Sequence, residues 1–277
     1  MKSTARPMPR TTDTALSDRD FSPLGDRVVF LTSGGPLYWI IANALVAEFG
    51  PIVVVQEDEE PKSVFLQRRL KKLGAVALVG QVAFGVLAKF IYKASGTKRK
   101  EILSSANADT DPPEHCALYR VPDVNSKECH AALQQVSPSV VIVVGTRIIK
   151  QQTLDCIEAP FINYHPGMTP KYRGMNGAYW TLANDDRDNL AVTVHLVDAG
   201  VDTGPILYQE HLEMPVGQNI TTYHDYLAGC ARSCVVKAAR DALTGSLKPR
   251  PPTGDSRQWY HPTLWGYLWV GLTRGVW

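Results

Sequence analysis

Three short runs restrict this chain more than anything else in it: Arg27–Thr32 (RVVFLT), Pro51–Gln56 (PIVVVQ) and Ser139–Val144 (SVVIVV). Each is apolar at nearly every position, so neither face is suited to water. Strands of that kind belong in a parallel sheet covered on both sides. Helical stretches alternate with them, at about Leu37–Phe49 and Ser126–Gln135, and Cys116–Val121 reads as a further strand. The order β, α, β, α, β, α, β up to Val144 predicts an α/β fold: a doubly wound, mostly parallel sheet with helices on both faces. With 277 residues, 44% of them hydrophobic and 20% charged, the chain can bury a sizeable core. A net charge of only +2 implies no general attraction to nucleic acid. The five cysteines are odd in number and form no CxxC, which reads as reduced thiols in a cytoplasmic protein with no metal site.

The remaining segments are less regular. Residues 1–25 are polar and Pro-rich and read as a flexible N-terminal arm with no secretory h-region. Ser33-Gly34-Gly35-Pro36 is a tight turn before a helix. Its free amides would also suit an anion, although it has neither GxGxxG nor GxxxxGK. The acidic run Glu57–Glu60 is either a helix cap or a solvated turn. At 62–100, basic clusters flank an apolar run from Leu73 to Ala88, shorter than the roughly 20 residues of a membrane span. Two readings stand: a long helix packed on the sheet with its basic ends in water, or an interfacial helix touching anionic lipid. The first is preferred because the fold requires a covering helix here. After Gly217 a helix at about Thr221–Leu243 closes the domain. The tail Trp259–Trp277 holds four of the six tryptophans and suits self-packing, self-association or a membrane interface.

Chemistry concentrates between Phe161 and Gly204. If Pro160-Phe161-Ile162 begins a strand, its period of two puts Asn163 and His165 on one face and Tyr164 on the other. Pro166-Gly167 then opens a loop at the strand's C-terminal end, where open α/β sheets place their sites. Gly145–Ile149 follows the strand at Val144 and is a second candidate wall. Leu190–Val197 alternates as a half-buried strand. Its His195 either lines the site or is a hydrogen-bonded structural histidine, the second reading being preferred. Asp202 lies in a loop bracketed by Gly200 and Gly204, before a return strand at Pro205–Glu210. No GxSxG or HExxH occurs. An amide, an imidazole and a carboxylate suit direct acyl transfer, with hydrogen-bond donors for an oxyanion and a carboxylate to orient the histidine and move a proton.

Asn163-x-His165, Pro170-x-Tyr172-Arg173-Gly174, Val192-Thr193-Val194-His195 and Asp202-Thr203-Gly204-Pro205 together resemble the N10-formyltetrahydrofolate-dependent formyltransferases. That family includes glycinamide ribonucleotide, methionyl-tRNA and nucleotide-sugar enzymes. The resemblance is strong over about Val140–Glu210 and holds in order from Arg27. It implies a Rossmann-like formyltransferase fold, with Asn163, His165 and Asp202 catalytic. It also implies a formyl donor, N10-formyltetrahydrofolate, its pterin held through backbone contacts of Arg147, Ile148 and Ile149 on one side, with Val197, Asp198 and Gly200 on the other.

Departures from the family narrow the expectation. Pro166-Gly167-Met168-Thr169-Pro170 replaces the usual Pro-Ser-Leu-Leu-Pro, in a loop that is a candidate to face acceptor or cofactor. The first glycine turn lacks the Asn-Gly-Ser of the glycinamide ribonucleotide enzymes. The segment after the core is too short for the extra domain of the methionyl-tRNA enzymes, and the arm before Arg27 too short for the regulatory domain of the hydrolases. The expected organisation is a catalytic domain at 26–215, with an insertion at about 62–100, and a C-terminal helix with an aromatic tail at 216–277. The expected activity is transfer of a formyl group to a primary amine of a small intermediate, a nucleotide-linked amino sugar first. Formyltetrahydrofolate hydrolysis and a non-catalytic, membrane-associated folate or nucleotide-binding module are the alternatives.

Overall fold

A computed structural model describes residues 27–277, so the arm expected at 1–25 lies outside the described residues. In chain order the first half runs β1 (Val28–Thr32), α1 (Pro36–Phe49), β2 (Val53–Glu57), α2 (Lys62–Ala94), α3 (Gly96–Ser105), β3 (Ala117–Val121), α4 (Lys127–Val136) and β4 (Val140–Val144). Then come α5 (Gln151–Leu154), β5 (Phe161–His165), β6 (Arg173–Gly174), α6 (Gly177–Ala183), β7 (Ala191–Leu196), β8 (Ile206–His211), α7 (Tyr223–Leu243), β9 (Gln258–Trp259) and α8 (Leu264–Arg274). The seven-stranded sheet has the order β3-β2-β1-β4-β5-β7-β8. Its first five strands pair in parallel, and β5–β7 and β7–β8 pair antiparallel. β1 and β4 are buried at every position, as their composition demands.

Alternate residues of the central strands feed two cores. Phe30, Val54 and Ile142 point into a cluster with Leu45 of α1 and Leu227 and Val235 of α7. Leu31, Val55 and Val143 point the other way, onto Cys129 and Leu133 of α4 and onto Ile149. Ser126 caps α4 by accepting the Cys129 N–H at 3.2 Å. One irregularity matters later. Val194 pairs with Tyr208 but His195 pairs with Ile206, so Leu207 is an extra residue on β8 and forms a bulge.

The preferred reading of 62–100 as a helix on the sheet is corrected. α1 and α7 already fill that face, so the β2-to-β3 crossover passes outside them. Only Gly80 and Phe84 of α2 are buried. α2 instead lies against α8, where the Phe84 and Tyr267 rings are 5.1 Å apart. It is kinked at Gly74 (φ 80°, ψ 167°). It is long and apolar enough to cross a membrane by length and composition, unlike the shorter run expected from Leu73 to Ala88.

Glu57 is neither a cap nor a solvated residue. It is buried, and its carboxylate accepts the Val124 N–H at 3.1 Å and the Arg147 N–H at 2.6 Å. Burial pushes its carboxyl up, against the opposing pull of those amides and the Arg147 guanidinium. At the glycine turn, the Gly34 N–H donates to Thr32 Oγ1 and the Gln56 amide packs where a Gly34 side chain would stand. The turn is a packed corner at the end of β1.

Candidate active site

Asn163 and His165 occupy alternate positions of β5, at the C-terminal end of the parallel part of the sheet. Tyr164 between them is buried in the opposite core. Asp202 reaches the pair from the loop after β7, where its backbone adopts φ 51°. The approach of that loop depends on Gly204, because a Cβ there would lie 1.8 Å from the Leu196 carbonyl oxygen. Arg173 holds the loop from the other side by donating to the Val201 carbonyl at 2.6 Å.

Asp202 is the hub. Its Oδ2 accepts the Gly174 N–H at 2.8 Å and lies 3.4 Å from His165 Nδ1. Its Oδ1 accepts from Asn163 Nδ2 at 3.3 Å and lies 3.6 Å from His195 Nε2. Burial opposes ionisation here, but the facing His165 and the Gly174 amide outweigh it. They hold the carboxyl well below the usual carboxylate range.

The two histidines have different tasks. His165 Nε2 faces the Tyr172 carbonyl at 2.7 Å, which can only accept, so that nitrogen carries a proton. Its Nδ1 is left facing Asp202, which makes Nδ1 the position where a proton can pass between ring and carboxylate. His195 Nδ1 faces the Leu196 carbonyl at 2.8 Å and donates to it. Its Nε2 lies 3.1 Å from Asn163 Nδ2 and accepts from it. The preferred reading of His195 as a hydrogen-bonded structural histidine agrees with these contacts, and the residue also stands within the cluster. It is buried and hydrogen-bonded, and it also holds the Asn163 amide.

The loop Pro166–Pro170 turns inward instead of facing an acceptor. Met168 and Thr169 are buried, the Thr169 carbonyl accepts from Gln209 at 2.7 Å, and Thr193 Oγ1 donates to Gly167 O at 2.7 Å. A Cβ at Gly167 would lie 2.7 Å from His165 Nε2 and 3.1 Å from the Gly177 Cα. The departure Gly167 thus lets the loop pass beneath the His165–Tyr172 hydrogen bond.

The side chains of the expected donor-binding residues point different ways. Arg147 points away from Asn163, donating to Pro122 O at 2.9 Å and Asp58 O at 2.6 Å and pairing with Glu57 at 3.3 Å. Ile149 and Val197 meet in the second core. Asp198 is bound within its own loop to Thr203 and Gly200. Ile148 and Gly200 are exposed and leave surface on either side of the cluster.

Sequence reasoning missed the two-stranded sheet β6–β9, which pairs Gly174 with Trp259. This sheet fixes the Gly174 amide that binds Asp202. Trp259 stacks on Trp180 with ring centroids 4.7 Å apart, and its Nε1 donates to Lys171 O at 3.0 Å. The aromatic richness of the tail was the available signal, but nothing in it named the partner strand.

A family model described as Formyl transferase matches residues 74–238. The chain belongs to this family. Methionyl-tRNA formyltransferase of Syntrophus aciditrophicus is 34% identical over 133 residues, covering 48% of this chain and 42% of that protein. The corresponding protein of Thermodesulfovibrio yellowstonii is 30% identical over 124 residues, covering 44% and 40%. The chain spans less than half the length of the curated relatives it matches. Among solved structures, a sugar N-formyltransferase of a Shewanella species superposes with a TM-score of 0.51 at 15% identity, over 83% of this chain and 75% of that one. An N-formyltransferase of Helicobacter canadensis, solved with folinic acid and dTDP-3-aminofucose, gives 0.52 at 12% identity, over 84% and 70%. The mostly parallel sheet expected from the strand pattern is the formyl transferase fold that the resemblance implied.

Proposed function

We propose that this chain transfers a formyl group from N10-formyltetrahydrofolate to a primary amine, with Asn163, His165 and Asp202 as the catalytic residues. The observation that carries the reading is the ionised Asp202 carboxylate held between His165 Nδ1 and Asn163 Nδ2. As the amine nitrogen bonds to the formyl carbon it sheds a proton, and Asp202 accepts it directly or through water. The old carbon–nitrogen bond breaks as a proton reaches the departing folate nitrogen, and the Asp202–His165 pair is the proton path. Negative charge gathers meanwhile on the formyl oxygen. The long 3.3 Å bond from Asn163 to Asp202 is the one most easily exchanged for that oxygen. The donor is assigned to the surfaces beside the cluster, along Gly145–Ile149 and Val197–Gly200, with the Arg147 side chain serving to hold the first of them.

A nucleotide-linked amino sugar is the preferred acceptor. Family membership supports formyl transfer, and the sugar N-formyltransferases among the structural neighbours support this acceptor class. Incubating the protein with N10-formyltetrahydrofolate and a panel of dTDP- and UDP-amino sugars, with methionyl-tRNA as a separate arm, tests it. A mass gain of one formyl group on a nucleotide sugar is expected. His165→Ala and Asp202→Ala should each lower the rate by about 10²–10⁴-fold. Formate release without any amine would replace the reading with hydrolysis, and full activity in either variant would remove the assigned roles.

A further inference from the structure

We propose that α2 and α8 form a docking surface for an anionic lipid bilayer and that the protein attaches to it in-plane, without crossing it. This goes beyond formyl transfer and does not depend on it. Beyond the Gly74 kink, α2 places Val76, Val79, Val82, Val86 and Phe90 at helical spacing on one face, and all are exposed, from 50% at Val82 to 75% at Val76. α8 does the same with Trp265, Leu268, Trp269 and Leu272, the last 78% exposed. The helices touch where Gly80 meets Trp265, since a Cβ at Gly80 would lie 2.4 Å from that ring. Trp265 is itself half exposed, so it joins the two stripes into one apolar surface. Patches of this kind mark an interaction site.

Charge selects the partner. Ten lysines and arginines stand between Lys62 and Lys100 with no Asp or Glu among them, and the stretch from Ser256 to Trp277 is also free of acids. Lys89 and Lys93 are exposed and follow Val86 and Phe90 by three residues, so they border the apolar face. Lys71 and Lys72 are exposed before the kink. An apolar stripe bordered by exposed cations and carrying exposed tryptophans matches the boundary between acyl chains and anionic headgroups. A second copy of this surface would bring like charges together.

The way α2 is tethered rules out a crossing. Its N-terminal end follows β2, and its C-terminal end continues into α3, where Arg99 forms a two-bond pair with the buried Asp225 of α7 at 2.6 and 2.9 Å. Its middle is held by Gln81, which donates to the His261 carbonyl at 2.8 Å, and by Phe84 on Tyr267. Residues 75–94, about 30 Å of helix, are therefore held to the folded body at the middle and beyond the C-terminal end, and the chain returns to that same body on both sides of α2. Such a helix can lie along a leaflet but cannot pass through it.

Flotation of the full chain with phosphatidylcholine vesicles, with and without about one third phosphatidylglycerol, tests the surface. Wild type is expected to float with the anionic vesicles, about tenfold less with the neutral ones, and less as salt rises. Val79→Asp/Phe90→Asp and, separately, Trp269→Asp/Leu272→Asp change exposed positions only. Each should abolish flotation while leaving the thermal midpoint unchanged. Wild type that stays unbound to both vesicle types, or floats equally well in the folded variants, overturns the proposal. A stable dimer by light scattering that the same substitutions split would assign the face to a second copy instead.

Discussion

His195 shows how a residue outside the expected triad enters the site. It is the direct cross-strand partner of Asn163 in the β5–β7 pair, which brings its Nε2 to the Asn163 amide. Its role is positioning: without it the amide loses one of the two acceptors that fix its plane. His195→Ala should lower kcat about tenfold with KM nearly unchanged, and His195→Gln, which can still accept from Asn163, should recover part of the loss. Steady-state kinetics on both variants checks this, since a purely structural role would lower the folded fraction without separating kcat from KM. Asn163 and His165 were legible because a strand's period of two needs only local sequence. Asp202 was legible as a carboxylate among glycines. The meeting of Asn163 and His195 was not, because it depends on the register of two strands separated by the whole β6–α6 excursion.

Among the elements, the segment joining β9 to α8 carries more than its length suggests. His261 is half-buried, and its Nδ1 accepts from the Asn176 amide at 2.8 Å, while the Asn176 oxygen accepts from His224 at 3.0 Å. Burial, then the nearby Arg69 and His224, push the His261 pKa from 6.5 down to about 4. The folded state refuses a proton that the unfolded chain takes up. The neutral histidine's stabilising share is therefore full above pH 6.5 and is lost as pH falls toward 4. Urea midpoints measured at neutral pH and near the lower limit should fall more steeply for wild type than for His261→Gln, which keeps an acceptor without a titrating group. The position of α2 was the least legible element. An apolar run of that length reads equally well as a core helix, and no local signal reveals that α1 and α7 have already filled the sheet face it would cover.

For the whole molecule, the parallel half of the sheet could be read from β-branched runs alone, and the return strand after Asp202 signalled the antiparallel edge. The small β6–β9 sheet could not be read, being two residues a side and joined across the chain's last third. A site built at the ends of several strands should bind its donor as a preformed surface. Folinic acid at about a hundredfold excess over its Kd should then stabilise the fold by about 2.7 kcal/mol. Asp202→Ala should keep most of that shift in a thermal melt, because the assigned donor contacts lie outside the carboxylate. The bulge at Leu207 carries a different consequence, for tolerance to insertion and deletion. The strands meeting there place Asn163, His165 and His195 at one seam, and the bulge fixes where β8 resumes its pairing. One residue gained or lost in the turn before Ala191 would rotate His195 to the opposite face and bring Val194 or Leu196 beside Asn163. Substitutions at the exposed positions of that turn can accumulate, whereas its length, and Asp186, which accepts from the Tyr172 hydroxyl at 2.7 Å, are bound to the chemistry.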